Sequence, residues 1–363
     1  MIFFALFGDI NNSYFLNKKL LYYTYQRGDG MSVKLVETVR ANTIESTHFG
    51  SIAVVGSDGT LMHSLGNADR LTYFHSSAKP IQGIASLEAG IVEKFGLDLK
   101  EIALIVSSHS GESEHIKVLK GIMEKTGIAE DIMECGIVEP VNKEVLKELY
   151  AAGLTMNILH GNCSGKHLGM IAASKVKGFP MEDYHKGDHP MQKLVKQVVS
   201  DFSAINPDNI AEGIDGCTVP VYAVPLKNMA FAYANLCNMS FMEGKYAKSQ
   251  NYIISAMTMY PEMVAGKKRI DTELMKRFGS RIIVKIGAEG VFCVGILGKN
   301  IGIALKIEDG TSIAVGPAII EVLLQLKVLN HDETEVLKEF WRPQLLNNKK
   351  EVIGEIRPVF KLN

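Results

Sequence analysis

Short runs rich in β-branched residues stand at the two ends of this chain, and helical patterns fill the stretch between them. Any compact fold must therefore bring distant segments into one sheet. Val33–Val39 and Ser51–Val55 read as strands, and Ser57-Asp58-Gly59-Thr60 reads as a hairpin turn leading to Leu61–His63. Toward the other end, Arg281–Val284, Gly290–Leu297 and Ile301–Ile307 read as three strands of a meander joined by short glycine-containing turns. Ile102–Val106 is a continuous apolar run and reads as a further, buried strand.

Helices are expected over Ser77–Phe95, Glu114–Thr126, Lys143–Ala152, Ser164–Lys175, Met191–Asp201, Asn228–Cys237 and Thr311–Leu329. In the first of these, Pro80 falls near the start, where a missing N–H costs nothing, and Ile81, Ile84, Leu87, Ile91 and Val92 form an apolar stripe. The pattern predicts an α/β fold. One catalytic unit spans residues 31–363, with an α/β part from 31–110 and 275–363 and a mostly helical part from 111–274. An active site between the two parts is the expected arrangement. Residues 1–30 read as a leader or a mis-assigned extension, with the native start at Met31: the apolar opening lacks the flanks of a signal peptide.

Charge narrows the function. A formal net charge of -1 over 363 residues leaves no basis for broad electrostatic capture of nucleic acid or of an anionic membrane. No apolar run approaches the roughly 20 residues that cross a bilayer. The five cysteines, Cys135, Cys163, Cys217, Cys237 and Cys293, are too sparse and odd in number for a disulfide framework. Free thiols fit a reducing compartment, so the expected location is the cytoplasm.

Chemistry is carried by the run Ser76-Ser77-Ala78-Lys79-Pro80. Residues three apart share a helix face, so Lys79 can reach the Ser76 hydroxyl and serve as its base, provided burial or a neighbouring cation lowers the lysine's proton affinity. Ser-x-x-Lys alone is a weak signal, since about one or two matches arise by chance in a chain this long, and Ser174–Lys177 is a second one. Order strengthens the first. Serine hydrolases of the penicillin-binding type place Ser-x-x-Lys, then a second polar motif, then Lys-x-Gly on a strand. Here Ser107-Ser108-His109-Ser110-Gly111-Glu112 follows the Ile102–Val106 run, and Lys285-Ile286-Gly287 follows the strand Arg281–Val284. Cys163-x-x-Lys166 and Asp215-x-Cys217 form a second constellation, two thiols, an amine and a carboxylate that could hold zinc tetrahedrally, or alternatively two buried structural cysteines.

These residues, with Glu45-Ser46-Thr47-His48-Phe49-Gly50, Asn162-Cys163-Ser164-Gly165-Lys166-His167, Tyr184 with His189-Pro190-x-Gln192, Gly213-Ile214-Asp215-Gly216-Cys217 and Gly287-Ala288-Glu289-Gly290, resemble the thermolabile-type L-asparaginase II family. The resemblance runs from about Arg40 to Ile307. It implies a fold like that of serine β-lactamases, penicillin-binding proteins and serine-dependent glutaminases. It implies two Ser-Lys pairs, Ser76 with Lys79 and Ser108 with Lys285, in which Ser76 attacks the side-chain amide of L-asparagine and Lys79 takes its proton. It also implies a Zn2+ site at Cys163, Lys166, Asp215 and Cys217, not required for the nucleophilic step, and a homodimer. One departure stands before the nucleophile, where the family usually has arginine and this chain has His75. A glutaminase or other small-molecule amidase is the alternative activity, and a non-catalytic zinc or amino-acid binding protein is the third reading.

Overall fold

The computed structural model describes residues 31–363; the expectation about residues 1–30 lies outside them. The main sheet is antiparallel throughout its pairings. Its strands are β1 (Val33–Arg40), β2 (Thr43–Gly56), β3 (Leu61–Leu65), β7 (Ile282–Ile286), β8 (Val291–Ile296), β9 (Ile301–Ile307), β10 (Gln344–Leu346) and β11 (Val352–Pro358). Three shorter strands, β4 (Leu71–Tyr73), β5 (Ala211–Ile214) and β6 (Pro220–Pro225), make a second sheet in the order β4-β6-β5. Helices of seven residues or more are α1 (Lys79–Glu88), α2 (Leu99–Ile105), α3 (Ser113–Thr126), α4 (Lys143–Ala151), α5 (Ser164–Lys177), α6 (Pro190–Ser203), α7 (Leu226–Leu236), α8 (Ala247–Met259), α9 (Ile270–Phe278) and α10 (Val315–Gln325).

The main sheet runs β10-β11-β1-β2-β9-β8-β7, with β3 joined to β2. Strand β2 is long enough to carry two neighbours along one edge: Gly50 pairs with Val33 of β1, and Ile52 pairs with Leu65 of β3. Along its other edge it meets β9 from Gly50↔Ile307 to Gly56↔Ile301. The two ends of the chain thus share one sheet, as the distribution of β-rich runs requires. The hairpin turn before β3 forms as expected: Gly59 takes φ 84°, and the Asp58 carboxylate accepts the N–H of Thr60.

Strands β7, β8 and β9 are buried on nearly all their length, on both faces, which is why they read as unbroken apolar runs. Helix α7 packs on β2, β8 and β9. It lies so close that a Cβ on Gly302 would collide with the carbonyl of Ala230, and one on Gly295 would meet Cys237 and the carbonyl of Tyr233. Gly295 and Gly302 are paired across β8 and β9, and so mark the face on which α7 rests. Cys293 and its cross-strand partner Lys285 lie on that same face by the two-residue alternation of strands.

Several sequence expectations are corrected. Ile102–Val106 is not a strand but belongs to helix α2, which starts on a capping box: Asp98 accepts the N–H of Glu101, and the Glu101 carboxylate accepts the N–H of Asp98. The Ser77–Phe95 helix is broken, with a 3-10 turn over His75–Ala78, then α1, then a left-handed Gly90 at φ 90° before a short Ile91–Phe95 helix. The Thr311–Leu329 helix contracts to α10, and the chain does not close on it, since β10 and β11 return to pair beside β1. Helices α8 and α9 and the small sheet were not expected from the sequence.

Candidate active site

Ser76 sits in the 3-10 turn that leads into α1. Its carbonyl accepts the backbone N–H of Lys79, closing a turn in which side chains three apart eclipse. His75, just before it, is held at φ 47°, a left-handed value uncommon for a residue with a Cβ. The turn is pinned from two sides: the Ser77 hydroxyl donates to the Phe74 carbonyl at 2.6 Å, and Tyr233 of α7 donates to the Ser77 carbonyl at 2.7 Å. The close approach of α7 to the sheet is therefore what brings Tyr233 onto the Ser76 turn. Ser76 itself is partly exposed, while Ser77, Ala78 and Lys79 are buried.

The Lys79 amine lies in the interior. It donates to the carbonyls of Ser107 at 2.6 Å and Asn162 at 3.2 Å, and it stands 3.0 Å from Ser108 Oγ. Carbonyl oxygens only accept, so these two contacts take two of the lysine's protons. The remaining position, toward Ser108, is a third N–H in the ammonium form and the lone pair in the neutral form. Burial lowers the proton affinity of Lys79, and the Lys166 cation lowers it further, against the opposing sulfur atoms of Cys163 and Cys217.

Ser108 Oγ also meets Lys285 Nζ at 3.0 Å. The hydroxyl thus bridges two buried amines, from α1 and from β7. Lys285 donates to the Ile286 carbonyl at 3.0 Å and lies 3.8 Å from Asp271 Oδ1. Burial pushes its amine down to about 7, with Asp271 opposing the shift and Lys79 and Arg269 adding to it.

The loop that carries Ser108 follows a helix, not a strand, and is held by backbone and side-chain bonds. Ser108 N–H donates to the Val264 carbonyl at 2.8 Å, and Ser110 Oγ donates to the Ala265 carbonyl at 2.6 Å. His109 is fully buried and neutral: Nδ1 accepts the Gly111 N–H, so the proton is on Nε2 and goes to Ser164 Oγ at 2.8 Å. Burial drives its proton affinity well down. His109 so ties the Ser108 loop to the first turn of α5, which follows Cys163. That helix lies against α2 closely enough that a Cβ on Gly165 would collide with the Leu104 carbonyl.

Of the four residues read as metal ligands, three come together. Lys166 Nζ meets Cys217 Sγ at 3.0 Å, and Cys163 lies beside Cys217 and Lys79. Contact with Cys217, against the opposing effect of burial, and the nearby Lys79 and Lys166 amines hold the proton affinity of the Cys163 thiol well below its ordinary range. Asp215 is turned aside: its Oδ1 accepts the Gly216 N–H at 2.9 Å and faces His75 Nδ1 at 3.4 Å. Against burial, that histidine, the Lys166 charge and the Gly216 N–H hold its carboxyl at about 2. Among the described residues, no group of three or more His, Cys, Asp and Glu side chains is placed to hold a metal ion; the third donor beside the two thiols is the lysine amine.

The sequence model of the L-asparaginase II family matches residues 36–358. The chain belongs to the L-asparaginase II family. Among solved structures the chain is similar to Mglu in its native form (15% identity over 77% of this chain and 65% of that chain, TM-score 0.36). It is also similar to a Bacillus glutaminase (12% identity, 87% of this chain and 99% of that chain, TM-score 0.34) and to a class C β-lactamase mutant (13% identity, 86% and 97%, TM-score 0.37). The match to Mglu thus spans less than two thirds of that protein's length. No curated protein gave a significant match.

The residues of this family member that the sequence did not reveal are those that support the Ser76 turn and the lysines: Tyr233 for the turn, and Asp271 and the Asn162 carbonyl for the lysines. Asp271 reads in the sequence as an ordinary acid in the first turn of a helix, and nothing local marks it as buried.

Proposed function

We propose that the protein is an L-asparaginase that hydrolyses the side-chain amide of L-asparagine to L-aspartate and ammonia through an acyl-enzyme on Ser76. The observation that carries this reading is the hydrogen-bonded line Lys79–Ser108–Lys285, buried behind the Ser76 turn of a member of the L-asparaginase II family. Ser76 Oγ attacks the amide carbon, and its proton passes to Lys79, whose neutral form burial favours and whose lone pair must turn from Ser108 toward Ser76 for this step. The tetrahedral intermediate collapses with cleavage of the C–N bond. The leaving nitrogen takes a proton delivered through Ser108 and departs as ammonia, and Lys285 and Lys79 rebalance the proton on the Ser108 hydroxyl. Water then attacks the ester carbonyl and gives its proton to the same line, aspartate leaves and the Ser76 hydroxyl is restored.

A second reading is favoured by one contact. Ser108, not Ser76, is the hydroxyl hydrogen-bonded to Lys79, so a nucleophilic Ser108 is the competitor. Ammonia release from asparagine and from glutamine, measured on the intact protein and on Ser76→Ala and Ser108→Ala, separates these possibilities. Asparagine turnover lost in a folded Ser76→Ala is the expected result. Turnover that survives there transfers the nucleophile to Ser108, and activity on glutamine with none on asparagine replaces the substrate.

Cys163, Cys217 and Lys166 fit a zinc ion: two adjacent sulfur atoms, one with its proton affinity lowered, with an amine at 3.0 Å from the other and the Asp215 carboxylate nearby as a further anionic group. Bound there, zinc would supply Lewis acidity for holding the substrate's oxygen atoms. The five buried free thiols suit a cytoplasmic enzyme. A homodimer, as the family resemblance implies, completes the reading. Among the described residues no helix is long and apolar enough to cross a membrane.

A further inference from the structure

Asp271 occupies the second position of α9, where a carboxylate ordinarily faces water. Here it is fully buried. Oδ1 accepts the Ile286 N–H at 2.7 Å and lies 3.8 Å from Lys285 Nζ, and Oδ2 has no hydrogen-bond partner among the described residues. Burying two opposite charges costs several kcal/mol per ion, and an apolar pair of similar volume commonly serves stability as well. Stability therefore offers no reason for this pair.

The geometry joins two functions in one carboxylate. The Ile286 N–H fixes the backbone of β7 at the residue after Lys285, and the contact with Nζ pulls the amine toward α9 while Ser108 holds it from the other side. We propose that Asp271 is a positioning residue for Lys285, fixing its amine between α9 and Ser108 and so within hydrogen-bond reach of the Ser108 hydroxyl. This rests on the reading that Lys285 relays protons. The charges that act on Lys285 are those of Asp271 from α9, Arg269 just before that helix, Lys79 from α1 and the Cys163 sulfur before α5. Desolvation, Lys79 and Arg269 favour the neutral amine, and Asp271 and Cys163 oppose them. The amine is then poised to take and return a proton near neutrality.

The test is the titration of Lys285, followed by NMR of lysine labelled with 13C at Cε and assigned by the missing signal in Lys285→Met, beside the pH profile of asparagine turnover. In Asp271→Asn, which still offers an oxygen to the Ile286 N–H, the Lys285 midpoint falls by about one to two pH units. kcat falls about tenfold or more while KM holds. In Asp271→Glu, which keeps the charge, the midpoint stays within about half a unit of the parent. A folded Asp271→Asn with an unmoved midpoint overturns the proposal. Should that variant fail to fold, Asp271→Glu decides it, since a midpoint dropping there as far as expected for charge loss overturns it equally. The NMR midpoint needs no substrate, so a protein inert toward asparagine whose Lys285 still answers to Asp271 would sink the asparaginase reading and leave this pairing standing.

Discussion

The amine of Lys285 meets the hydroxyl of Ser108 at 3.0 Å, with both groups buried. Because Lys79 meets the same oxygen at 3.0 Å, the Ser108 hydroxyl has one proton and two amines competing for it. If both amines were charged, each would donate to Oγ and the hydroxyl proton would have no acceptor among them. One neutral amine resolves the conflict, and it makes the line conductive for protons in either direction.

Removing that oxygen breaks the line without touching Ser76. Ser108→Ala should lower kcat by about two to four orders of magnitude, the usual worth of a positioned proton donor or acceptor. Steady-state ammonia release on a variant with unchanged circular dichroism checks this. A loss of less than a few fold would mean that protons bypass Ser108.

The buried Lys285 gives the protein a pH signature of known sign. Its amine is pushed down to about 7 in the folded protein from an ordinary 10.5. Between those values the unfolded chain binds a proton that the folded protein does not, so stability increases as pH rises through this window and is lost as pH falls toward 7. Denaturant midpoints measured from pH 7 to 10 should rise more steeply for the parent than for Lys285→Met. Equal slopes would show that Lys285 is charged in the fold. Turnover that needs the neutral amine should likewise gain along an acid limb near pH 7.

Helix α2 shows what sequence alone could and could not convey. Ile102–Val106 is apolar at every position, and an unbroken apolar run of five has no period with which to choose between strand and buried helix. The deciding signal lay upstream, where Asp98 and Glu101 cap the helix start. Asp98→Ala should cost about 1 kcal/mol, read as a lower urea midpoint, since it leaves the Glu101 N–H without its acceptor. Elsewhere the long-period signals held: the meander β7–β9 and the helices α3, α5 and α6 are where their patterns placed them. Motif order also pointed to Lys79, Ser108 and Lys285, whose side chains meet in the fold. What spacing could not carry is direction: that the Lys79 amine turns to Ser108, that Asp215 turns to His75, and that Asp271 points inward. Those choices are made by packing across the sheet, between residues far apart in the chain.

The sulfur pair provides the last test. Cys163 and Cys217 with Lys166 offer three donors, but Lys166 must lose a proton to bind a metal, and in this arrangement the neighbouring sulfur atoms and Asp215 raise its proton affinity despite burial. Zinc must displace that proton, so binding should release protons and weaken as pH falls. Purified protein dialysed against zinc should retain about one equivalent by elemental analysis, the number a single site holds. Cys163→Ser and Cys217→Ser should lose it. Asp215→Ala should keep most of it, because that carboxylate faces His75 and the Gly216 N–H instead of the sulfur atoms. Zinc retained by the double cysteine variant would place the metal elsewhere. Zinc lost from Asp215→Ala alone would mean that the carboxylate swings in to complete the set when the ion binds.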